Sequence, residues 1–114
     1  MQVKEFVDNG VTIVEVSGRL DSSTAPAIVD RLQSIVTAQP TVIIDLASLD
    51  YISSAGLRVL LMAAKQAEAT HHAFVLAGLL PSVKHVFDLT GFSDFCTVFN
   101  DRRAALTSLG RADS

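Results

Sequence analysis

The hydrophobic positions change period several times along the chain, and each change marks an element. Residues 2 to 8 alternate, with Val3, Glu5 and Val7 on one side and Lys4, Phe6 and Asp8 on the other. Residues 11 to 17 alternate as well, but Val14 and Val16 add to Val11 and Ile13, so this second strand is the more buried of the two. Between them Asp8-Asn9-Gly10 contains an Asn-Gly pair, which favours the positive φ of a tight hairpin and makes the two strands antiparallel neighbours. Gly18 is expected to end the second strand. From Thr24 the period lengthens: Ile28, Leu32, Ile35 and Val36 fall on one helical stripe, with Asp30, Arg31 and Gln33 facing away. Thr24 or Ser23 is the expected cap, Pro26 is tolerated in the first turn, and Pro40 closes the helix.

The run TVIIDL at 41 to 46 is continuous and β-branched, which predicts a central strand. After a short loop around Asp50, residues 54 to 69 carry Leu57, Leu60, Leu61, Ala64 and Ala67 at helical spacing. Residues 73 to 78 predict another strand, and Pro81 to Gly91 bracket a third helix with Val83, Val86 and Phe87 inward and Leu80 as a poor cap. Cys96 to Phe99 predicts an edge strand and Asp101 to Leu109 a final helix, with Ala105, Leu106 and Leu109 inward; the last five residues are expected to fray. Two strands followed by alternating helix and strand give an α/β chain, a mixed sheet of four to five strands with a parallel centre and about four helices.

Composition narrows the picture. At 114 residues the chain has room for one core, so a single domain is expected over 1–114, ordered from about 3 to 109. Hydrophobic residues make up 49% and charged residues 18%, which excludes disorder of the whole chain. The net charge of -3, with Lys and Arg scattered, argues against a nucleic-acid partner. Cys96 has no second cysteine to pair with, and its flanks Phe95 and Val98 suggest a buried thiol in a reducing compartment. MQVKEFVDNG lacks the apolar run of a signal peptide, and Lys65, Gln66 and Glu68 interrupt the best candidate for a span of roughly 18 apolar residues. No membrane insertion and a cytoplasmic location are therefore expected.

Catalytic chemistry finds little support. Ser54 sits between a loop and a helix, as a nucleophile does in a strand-turn-helix elbow, but its neighbours are Ser53 and Ala55 where that motif requires glycines. His71 and His72 read as solvated residues at a helix end, and His85 as a solvent-facing residue. None forms a metal-ligand pattern with Cys96, Asp45 and Asp50 form no recognisable pair, and no phosphate loop is present; neither metal nor cofactor is expected. The segment YISSAGLRVLL at 51 to 61 is different. One serine suffices as a cap, whereas two small hydroxyl residues followed by Ala55 and Gly56 leave helix-start amides able to accept a phosphate.

Three pieces in order, GRLD at 18 to 21, VIIDLASLDYISSAGLRVLL at 42 to 61 and PSVKHVFDLTGF at 81 to 92, are similar to the STAS family, named for sulfate transporters and anti-sigma factor antagonists. The resemblance covers roughly residues 3 to 109 and implies a small mixed sheet with helices largely on one face. It also implies a regulatory antagonist and not an enzyme. In such a protein the unmodified form binds an anti-sigma factor that is also a serine kinase, frees a sigma factor, and is released when one serine at the start of the second helix is phosphorylated; a phosphoserine phosphatase resets it. With Gly56 and Leu57 as anchors the acceptor falls on Ser54, with Ser53, standing where the family often has Asp, as second candidate. The implied partner-binding surface comprises Asp21, Ser22, Ser53, Ser54, Ala55, Gly56, Leu57 and Arg58. The competing expectation is an interaction subunit of a transporter or signalling assembly that is never phosphorylated.

Overall fold

A computed structural model describes residues 1–110. Strands β1 (Gln2–Asp8) and β2 (Val11–Leu20) form an antiparallel hairpin, with Asn9 at φ 52 and Gly10 at φ 78 in the turn, as the Asn-Gly pair predicts. Helix α1 (Ala25–Ala38) leads to β3 (Thr41–Asp45), then β4 (Leu49–Ile52), α2 (Ser54–Ala69), β5 (Ala73–Ala77), α3 (Pro81–Leu89), a 3-10 turn at Phe92–Asp94, β6 (Val98–Phe99) and α4 (Arg102–Ser108). The sheet order is β1-β2-β3-β5-β6, parallel after the first pair, and β4 adds to the end of β2.

Alternation along the strands feeds two cores. Val14, Val16, Val42, Ile44 and Leu76 face α1, α2 and α3, burying Ile28, Leu32, Leu60, Val83 and Phe87 with them. Val11, Ile13, Ile43, Val75 and Ala77 face the other way, where α4 covers them with Ala105 and Leu106. Three of the four helices thus lie on one face, and the apolar run TVIIDL is continuous because β3 is covered on both.

The structure departs from expectation in a few places. Among the described residues the sheet has six strands. The additional one is β4, expected as loop: its four residues are too short to show a period, and only Leu49 and Ile52 are buried. Nor does Gly18 end β2. At φ 85 it pairs with Leu49 of β4, β2 having left β3 after Glu15, and a one-residue register shift follows before Arg19 pairs with Tyr51. The edge strand shrinks to Val98–Phe99, with Cys96 buried just before it. Neither expected cap serves α1: Thr24 holds the cap position, but its hydroxyl turns back to the Arg19 carbonyl at 2.9 Å. His72 is half-buried, its Nδ1 lying 2.9 Å from the Val36 carbonyl, because Thr70 and His71, at φ 60, turn the chain back toward α1. Apart from Gly110, which is described, the expected fraying concerns positions outside the described residues.

Candidate functional site

Helix α2 begins where β2 ends, and a glycine makes the junction tight. The Ser53 amide donates to the Leu20 carbonyl at 3.0 Å. A Cβ on Gly56 would lie 2.6 Å from that same carbonyl oxygen and 2.9 Å from side-chain carbons of Ile52 and Leu20, so no larger residue fits without moving the helix. This close approach sets the Asp21–Ser22 turn beside the first turn of α2, and Ser22 and Ser54 line one groove.

The two serines have different surroundings. Ser53 is the N-cap, extended at φ -98 and ψ 177, and its Oγ accepts from the Gly56 amide at 3.4 Å. Ser54 is the first residue of the helix and exposed, and its hydroxyl has no hydrogen-bond partner among the described residues. Gly56 is buried and Leu57 nearly so, so these two position the surface more than they form it. Ala55 is half-buried and Arg58 exposed.

Two grooves meet at Ser54. One, of about 420 Å³, runs between α1 and α2 and is lined by Pro26, Val29, Val59 and Met62. The other, of about 280 Å³, runs between α2 and the turn after α3, against Leu61, Thr90, Phe92 and Phe95. Met62, at 42% exposure, and Phe95, at 62%, leave apolar surface open on either side of α2. Sequence reasoning missed these flanks, although Ala55, Val59 and Met62 stand at i, i+4 and i+7 and carried the signal for a second stripe.

The borders of the site are braced by polar contacts. Asp21 Oδ1 accepts from the amides of Ser23 at 3.0 Å and Thr24 at 3.2 Å, and Arg19 Nε lies 3.6 Å from its other oxygen. Desolvation raises the Asp21 carboxyl pKa, but these two amides, the Thr24 hydroxyl and Arg19 together bring it below the ordinary value. Arg19 in turn stacks on Tyr51, 4.2 Å from the ring centroid. Asp21 therefore builds the turn, while Ser22 reaches the groove. On the other border Asp88 accepts from the Ser93 hydroxyl at 2.7 Å, which pins the turn to α3, and from the Lys84 ammonium at 3.1 Å, and both lower its pKa.

The histidines do not approach this turn by way of α2: His71 and His72 follow its far end, sixteen helical residues from Ser53. No group of three or more His, Cys, Asp or Glu among the described residues is placed to hold a metal ion, and no described helix is long and apolar enough to cross a membrane.

A second polar centre lies on the α4 face and was also missed. Arg102 pairs with Asp45 at 3.0 Å, with Asp8 at 3.8 Å and with Glu15, and its guanidinium sits 5.0 Å from the Phe6 ring centroid. Asp45 and Arg102 are 57 positions apart, beyond any local pattern.

Comparison with known proteins agrees with this geometry. BtrV of Bordetella bronchiseptica, named as a candidate anti-sigma factor antagonist, is 38% identical over 105 residues, covering 91% of this chain and 90% of that protein. The anti-sigma-B factor antagonist of Listeria monocytogenes is 31% identical over 101 residues, or 88% of each chain. A crystal structure of an anti-sigma factor antagonist from Mycobacterium paratuberculosis superposes with a TM-score of 0.88 at 25% identity, covering 96% of this chain and 93% of that one. The family model described as the STAS domain matches residues 4–105, and the chain belongs to the STAS domain family.

Proposed function

We propose that this chain is an anti-sigma factor antagonist working by partner exchange in the cytoplasm. The unmodified protein binds an anti-sigma factor with serine kinase activity through the first turn of α2 and its flanking grooves, and so frees a sigma factor. Phosphorylation of Ser54 releases it, and a phosphoserine phosphatase restores it. The observation that carries this reading is the contrast at the turn: Ser53 is engaged as a cap while the Ser54 hydroxyl is exposed and unengaged where two apolar grooves meet. The similarity to named antagonists over nine-tenths of the chain supports the same reading. A binding role also fits the surface, which offers Met62 and Phe95 to a partner.

The test is incubation of the purified protein with ATP and an anti-sigma factor of the serine-kinase type from the same genome, followed by peptide mass spectrometry. Added phosphate on Ser54 is the expected result. An unmodified Ser54, with the kinase demonstrably active, would sink the proposal.

A further inference from the structure

Arg58 stands out among the arginines of this surface. Arg19, at the border of the site, lies against a carboxylate, as Arg31 and Arg102 do elsewhere on the molecule, whereas Arg58, like Arg103 on α4, makes no ion pair among the described residues. It lines both grooves that meet at Ser54 and is, among the described residues, the sole charged side chain lining either. Other charges nearby are engaged or lie elsewhere. Asp21 is held in its own turn by Ser23, Thr24 and Arg19. Lys84, Asp88 and Asp94 line a separate groove beyond Phe95.

Arg58 is also four residues after Ser54 on the same helix. Residues at i and i+4 face each other about 5–6 Å apart at Cβ, and helical side chains lean toward the N-terminus, so Arg58 leans over the first turn. An anion preceding a cation by four residues is the favoured order of such a pair.

We propose that Arg58 captures a phosphate on Ser54 within the same chain, so that modification inverts the charge of the docking surface. This rests on Ser54 being the modified residue. Before modification the only side-chain charge that the described residues bring to the grooves is the guanidinium, at +1. A phosphoserine brings about -1.5 to -2, leaving roughly -0.5 to -1 in one charge-assisted pair. A partner that meets a cation in one state therefore meets a neutralised guanidinium and an anion in the other.

The test places phosphoserine at position 54 of the full chain by codon reassignment, without a kinase, and follows the second phosphate ionisation by phosphorus NMR. The helix start acts equally in all variants, so the difference isolates residue 58. The expected result is a midpoint lower by about half a unit with Arg58 than in Arg58→Gln, and an intermediate value in Arg58→Lys. Circular dichroism checks the fold, and the Lys variant provides a second comparison that keeps an ammonium at this exposed position. Superimposable titrations of the Arg and Gln proteins would overturn the pairing. That result leaves kinase modification of Ser54 standing, just as an unmodified Ser54 in the kinase assay leaves the NMR pairing measurable.

Discussion

At the scale of residues, the two adjacent serines divide the work of capping and exposure. Ser53 supplies the cap oxygen and Ser54 does not, so their alanine variants separate in stability. We expect Ser53→Ala to lower the unfolding free energy in urea by about 1 kcal/mol, and Ser54→Ala to stay within roughly 0.5 kcal/mol of the parent. Equal losses would show that the capping assignment is wrong. Position in sequence already suggested that one serine caps and the other is available. Which serine does which depends on the extended backbone at Ser53, and that depends on its amide reaching the Leu20 carbonyl, a contact made across 33 residues that no local pattern encodes. Asp21 was legible only as a turn residue or a surface residue; the structure gives its carboxylate to the turn.

At the scale of elements, every strand and helix but β4 was readable from its apolar pattern. Helix α2 follows from its helical spacing and strand β3 from a continuous β-branched run, because the first buries one stripe and the second both faces. Strand β4 has four residues and exists only as a pairing with the end of β2, beyond the residues that β3 engages. Helix α4 is short as well, and its attachment depends on more than Ala105 and Leu106. Arg102, with its side chain at 28% exposure, ties it to carboxylates of β1, β2 and β3. Removing a guanidinium from partly buried partners costs more than removing one from solvent, since the carboxylates keep their desolvation and lose their counter-charge. Arg102→Ala is therefore expected to lower stability by about 1–3 kcal/mol, whereas Arg31→Ala, which loses only the exposed 3.9 Å pair with Glu5, should cost under about 1 kcal/mol. Comparable urea midpoints for the two variants would refute the role given to Arg102.

At the scale of the molecule, the question is whether one phosphate on Ser54 supplies enough free energy to exchange partners. Reversing a 1:99 population takes about 5.5 kcal/mol. A phosphate placed near 4 Å from a partner carboxylate gives roughly 4 kcal/mol per unit charge at an effective dielectric of 20, and steric exclusion from a tight interface adds to this. An aspartate brings about half of a phosphate's charge and less bulk. Ser54→Asp is accordingly expected to weaken binding to the anti-sigma partner at least about ten-fold by calorimetry, a change of roughly 1.4 kcal/mol, and Ser54→Ala to bind like the parent. Equal affinities for the two variants would rule out charge as the agent of release. The seat of Gly56 against Leu20 carries a different consequence. Because the first turn of α2 is wedged onto the end of β2, a phosphate on Ser54, as proposed, would be carried as a label on a fixed surface. A reader of such a label needs only to touch it. On this reading, recognition of this chain over another of the same backbone would rest on the handful of side chains that line the two grooves.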